Sequence, residues 1–171
     1  DSILYAKRIQ NAILAHETYL AKHLAEFFVL FKPKDHISGD FYWATKKDGR
    51  FYLAVCDSTG HGVPGAFMSL LNIAFLNEAI MEKNIEQPNE ILNYVRKRLI
   101  KNISKDGQKD GMDGILVCYD TAKNTYTYSA AHNSPLIIKS NEFVEYHADK
   151  MPIGEGIREE SFTTHSFDVK P

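Results

Sequence analysis

Residues 51–69 (Phe-Tyr-Leu-Ala-Val-Cys-Asp-Ser-Thr-Gly-His-Gly-Val-Pro-Gly-Ala-Phe-Met-Ser) constrain the fold more than any other stretch of this chain. They open with a short apolar run, Phe51 to Cys56, preceded by Asp48-Gly49; that combination reads as a buried strand leaving a hairpin turn. The run ends on a carboxylate, Asp57. Gly60, Gly62 and Gly65 follow closely, and Pro64 opens a long helical pattern. Proline suits the first turn of a helix, where its missing N–H would have no partner anyway. A strand therefore delivers Asp57 to its end, and a glycine-rich turn crosses to a helix start.

A second strand candidate, residues 40–46, is led in by Ser38-Gly39-Asp40. If it pairs with 51–57 around Lys47-Asp48-Gly49, Asp40 and Asp57 fall at the same end of the hairpin. Two carboxylates held close raise each other's pKa, and the pair is stable mainly when it shares a proton or a divalent cation. Bare glycine backbone favours the cation, because it can approach a phosphate oxygen or a metal-bound water. The other reading makes Asp57 a helix cap and Asp40 a turn residue.

These residues carry a resemblance. Ser38-Gly39-Asp40-Phe41-Tyr42-Trp43, followed by the Asp57–Ala66 stretch, resembles the bacterial sporulation-stage-II-E (SpoIIE) type of PPM, or PP2C-like, phosphatase. The similarity runs on through Gly111-Met112-Asp113, Ala131–Leu136 and Met151–Gly154, so it spans roughly 25–171. It implies an α+β fold: a four-layer αββα sandwich of two mainly antiparallel sheets with flanking helices. It also implies removal of phosphate from serine or threonine of a partner phosphoprotein, such as an anti-sigma-antagonist-like signalling protein, with Mn²⁺ or Mg²⁺ as cofactor. By resemblance Asp57 bridges two metals, while Asp40 and the Ser58 backbone carbonyl complete one site. The family usually has glycine where Ser58 stands, but a carbonyl ligand tolerates a side chain if φ is negative. Two further metal aspartates, in Thr/Ser-Asp-Gly and Asp-Asp motifs, are expected beyond Pro171, so the 171 residues alone are expected to be weakly active or inactive.

Other residues leave more than one reading. Asp113, with Asp110, flanks Gly111-Met112 and is either a further metal ligand or a loop cap. His61 lies between two glycines of the turn and, with Gly60, is a candidate substrate contact. Lys34 is a candidate phosphate contact or an ordinary loop lysine. His132-Asn133 at a strand end reads as a hydrogen-bonding junction. No Cys-x5-Arg loop, Ser-His-Asp order or zinc-type Cys/His spacing is visible. A non-catalytic interaction or dimerisation module is the alternative, and a two-metal phosphodiesterase would carry more histidine ligands.

At 171 residues and 44% hydrophobic content, the chain has the size of one domain with a real core. A net charge of −2 gives no reason to expect nucleic acid or an anionic membrane as partner. No apolar run was expected to reach the roughly 18 residues that span a bilayer, and a cytoplasmic location follows as an expectation. Cys56 and Cys118 sit in apolar runs and are expected to be buried free thiols.

Along the chain, residues 2–24 read as one helix, capped by Ser2, serving as a linker before a domain at 25–171; it is either a signalling helix joined to an upstream sensor, or packs on its own domain. A homodimer through this helix fits the first reading. Residues 26–32 read as a strand stopped by Pro33. Helices are expected at 64–83 and 89–103, a loop at 104–111, and strands at 115–119, 125–131, 136–139, 143–147 and 161–169.

Overall fold

The structure is a computed structural model that describes residues 2–104, 108–139 and 141–167. In chain order the elements are α1 (Ser2–Ile13), α2 (Glu17–Leu20), β1 (Asp40–Lys47), β2 (Arg50–Ser58), α3 (Gly62–Asn77), α4 (Pro88–Asn102), β3 (Gly111–Asp120), β4 (Thr125–Ala131), β5 (Leu136–Lys139), β6 (Glu142–Glu145), β7 (Ile153–Gly154) and β8 (His165–Phe167). The fold is α+β with antiparallel sheets. Six strands form one sheet in the order β1-β2-β3-β4-β8, with β7 joined to the start of β3; β5 and β6 make a separate two-stranded sheet.

The β1–β2 hairpin forms because Asp48 and Gly49 take φ values of 48° and 77°, the twist that a tight two-residue hairpin turn needs. Its register sets Asp40 opposite Asp57. Side chains alternate across the pleat. Tyr52, Ala54 and Cys56 therefore enter the main core against α3 and α4, with Leu76, Ile80, Leu92, Val95 and Leu99 filling it from the helices. The opposite face carries Phe51 and Leu53, covered by Ala15, Leu20 and the chain that follows them. Both cysteines are free and buried, and burial pushes the Cys56 thiol up to about 12.

Several expectations need correction. Residues 2–24 are not one helix: α1 stops at Ile13, and α2 begins only after an extended His16. The Ala15 N–H donates to the Tyr42 carbonyl on the edge strand β1, and Leu14, Ala15 and Leu20 turn into the cores, so tertiary packing overrides helix propensity. Residues 26–32 form no strand and join no ladder among the described residues. Their period-2 pattern is present, with Phe28 and Leu30 exposed while Phe27, Val29 and Phe31 lean on the sheet; alternation alone supplies no hydrogen-bonding neighbour. The long helix starts at Gly62 and passes at Glu78–Glu82 into a π-helical turn. The expected final strand is described only at His165–Phe167, and residues 168–169 lie outside the described residues, as do 105–107 of the expected loop.

One helical stretch, Gly62–Glu82, is long and apolar enough to cross a membrane by length and composition, contrary to expectation. It is a core helix here, with Ile73, Phe75, Leu76, Ala79 and Ile80 buried.

Candidate active site

Three aspartates form a row across three adjacent strands. Asp40 of β1 pairs with Asp57 of β2, and Asp57 pairs with Asp113 of β3. Residues directly opposite in an antiparallel ladder share a face, and like charges so placed repel. The effect shows at Asp40, whose pKa is raised above 3.8 by partial burial and by the neighbouring Asp57 carboxylate. A protein gains nothing structurally from this row, so it reads as a site.

The turn after β2 is built to pass close over these strand ends. Gly60 sits at φ 91°, a conformation that side chains strain to adopt. Gly65, in the first turn of α3, packs against it so tightly that a Cβ there would lie 2.5 Å from the Gly60 carbonyl oxygen. Thr59 ties the turn to β3, because its Oγ1 donates to the Gly111 carbonyl at 3.1 Å and accepts from the Gly111 N–H at 3.0 Å. On the β1 side, the Asp40 N–H donates to Ser38 Oγ at 2.9 Å. Gln10, the one buried residue of α1, brackets Ser38 through both its backbone N–H and its carbonyl.

A cavity of about 480 Å³ opens beside Asp57, lined also by Ser58, Gly60, His61, Asp113 and His132. Lys109, Asp110 and Glu155 reach its wall, so carboxylates outnumber cationic side chains there. His132, held at φ 57°, brings its Nδ1 to 2.9 Å from Asp113 Oδ1. His61 caps α3 without a side-chain bond and is largely exposed, 3.7 Å from Asp35. Lys34 does not line this cavity; it belongs to a neighbouring cleft with Asp35, His36 and Gly62.

The donor set suits a hard divalent cation: carboxylate and carbonyl oxygens, a raised Asp40, and an acidic cavity that would repel phosphate by itself. Among the described residues no three His, Cys, Asp or Glu side chains are gathered into a finished cage. Asp40, Asp57 and the Ser58 carbonyl thus amount to a partial set. Sequence spacing placed Asp40 near Asp57, but it gave no signal for the contacts of Gln10, Thr59 or His132 with their distant partners.

Comparison with known proteins fits this architecture. The family profile for stage II sporulation protein E (SpoIIE) matches residues 47–171. The SiaA-PP2C domain of Pseudomonas aeruginosa superposes with a TM-score of 0.86 at 30% identity, over 100% of this chain and 67% of that one. The RsbU and RsbW domains of Rv1364c from Mycobacterium tuberculosis give 0.63 at 22% identity, over 80% of this chain and 37% of that one. The PP2C phosphatase domain of SpoIIE from Bacillus subtilis, solved with a fragment of its regulatory domain, gives 0.59 at 23%, over 78% and 38%. These last two share the fold. No curated protein matches the chain. The chain belongs to the SpoIIE family of PP2C-type phosphatase domains.

Proposed function

We propose that this domain is a metal-dependent protein serine/threonine phosphatase of a bacterial signalling protein, acting in the cytoplasm on a phosphoprotein partner under an upstream sensor. The observation that carries the reading is the facing Asp40–Asp57 pair, of which Asp57 lines the acidic cavity while both carboxylates border a second cavity walled by Leu53 and Val55. Asp57, Asp40 and the Ser58 carbonyl would hold Mn²⁺ or Mg²⁺, with Asp113 as a further candidate. The cations, when bound, supply Lewis acidity that activates water and neutralises phosphate charge. The residues of the chain provide the frame. Thr59 and the Gly60–Gly65 contact fix the turn, His132 orients Asp113, and Gly60 and His61 stand at the mouth for the phosphoryl group. RsbX has been solved in complex with magnesium, which supports the choice of cation.

The test is phosphate release from a phosphothreonine peptide by the full-length protein with Mn²⁺, with EDTA, and as Asp57→Ala. Turnover that needs Mn²⁺ and falls by orders of magnitude in the variant supports the reading. Wild-type turnover in Asp57→Ala, or full activity in EDTA, contradicts it. A second reading, a catalytically incomplete module for protein interaction or dimerisation, draws on the exposed Ile9 of α1, which shares a shallow apolar cleft with exposed Phe67 of α3.

A further inference from the structure

We infer that Asn72 is a positioning residue for the cation site, acting through Ser58; the inference rests on the reading that Asp57 and Ser58 hold a divalent cation. Asn72 lies on the sheet-facing side of α3 and is fully buried, beside Ile73 and Leu76 in an otherwise apolar stretch. Its Nδ2 donates to Ser58 Oγ at 2.9 Å, and its Oδ1 has no partner. Turning the amide over only exchanges the roles: Ser58 Oγ would donate to Oδ1, and Nδ2 would be left alone. Leucine at position 72 together with alanine at position 58 would remove both polar groups and leave none orphaned. Asparagine at this position therefore works against core stability.

What it touches gives the reason for keeping it. Ser58 follows Asp57 directly and is itself buried. Its N–H donates to the carbonyl of Gly39, the residue before Asp40, at 3.2 Å. The approach is close enough that a Cβ on Gly39 would come within 2.8 Å of the Ser58 carbonyl oxygen. Ser58 is thus the junction between the two strand ends that carry the carboxylates, and Asn72 is its side-chain link to α3. Holding the Ser58 side chain fixes the peptide whose carbonyl completes the donor set, as outer partners of metal ligands do.

The experiment titrates Mn²⁺ into the 171-residue chain, followed by water-proton relaxation, with thermal melts in EDTA. The variants are Asn72→Leu, Ser58→Ala, the double substitution and Asp57→Asn. The double substitution, which leaves neither polar partner orphaned, should melt no lower than wild type, and Asn72→Leu should lose about tenfold or more in Mn²⁺ affinity. Ser58→Ala should lose a similar amount, and the double substitution should be no worse than either alone. Wild-type affinity in Asn72→Leu, losses that add in the double variant, or wild-type affinity in a double variant that melts like wild type would overturn the inference. If Asn72→Leu fails to fold, Asn72→Ala is read by the same criteria. Asp57→Asn separates the two levels: if it binds Mn²⁺ like wild type, the cation-site reading itself fails. If only Asp57→Asn loses binding, the positioning role alone fails.

Discussion

Gly65→Ala sets two effects against each other, and the structure decides the sign. Gly65 lies in the first turn of α3, where alanine gains at most about 1 kcal/mol over glycine from helix propensity. Against this, the new Cβ would meet the Gly60 carbonyl oxygen at 2.5 Å, its carbon at 2.8 Å and the Gly39 nitrogen at 3.1 Å. All three are backbone atoms, so no side chain can swing away. Overpacking of this kind costs roughly 1–3 kcal/mol, and contacts this short belong at the upper end. The net expectation is destabilisation by about 2 kcal/mol, or a melting temperature lower by about 4–8 °C for a domain of this size. Because the displaced atoms are the Gly60 turn and the residue before Asp40, Mn²⁺ affinity should fall as well. Circular-dichroism melts of wild type and Gly65→Ala measure the first effect. A melting temperature equal to or above wild type would refute the close-packing argument and leave propensity in control.

Asp40→Asn should stabilise the cation-free protein at neutral pH. The folded-state pKa of Asp40 is raised, so the native state binds more protons, and stability falls as pH climbs from 3.8 through the raised value; the gain should shrink towards pH 3 in melts run across pH. Arg96→Met should lower the unfolding free energy measured in urea by about 2 kcal/mol, because the buried guanidinium donates to the carbonyls of Glu159 and Glu160 at 3.1 and 2.7 Å and stacks on Phe162. Ile9→Asp plus Ile13→Asp should shift the melting temperature by no more than about 4 °C, since both side chains are over a third exposed and surface changes seldom exceed about 0.5 kcal/mol each. A collapse of the fold in that double variant would show that α1 buries this stripe.

The parts of the molecule that were legible in the sequence are those set by local chemistry. Asp48-Gly49 dictates the hairpin turn, and the turn dictates that Asp40 faces Asp57. Pro64 and Pro88 mark helix starts to within two residues. What escaped depends on partners distant in the chain. The register that brings Asp113 beside Asp57 joins strands separated by α3 and α4, and nothing in Gly111-Met112-Asp113 encodes it. The break after α1 is caused by Tyr42, Leu14 and Ala15 meeting across the sheet edge, while the pattern of residues 2–24 reads as an unbroken helix. Phe27, Val29 and Phe31 alternate as a strand should, yet strand assignment needs a neighbour that periodicity cannot name.

The most direct test of the central claim is a Mn²⁺ titration of the 171-residue chain beside its Asp57→Asn and Asp40→Asn variants. The facing carboxylates and the partial donor set lead to weak binding by the wild type, on the order of millimolar, with loss of that binding in Asp57→Asn and weakening in Asp40→Asn. Micromolar affinity that survives Asp57→Asn would contradict the assignment, because the cation would then sit elsewhere than on the row of aspartates.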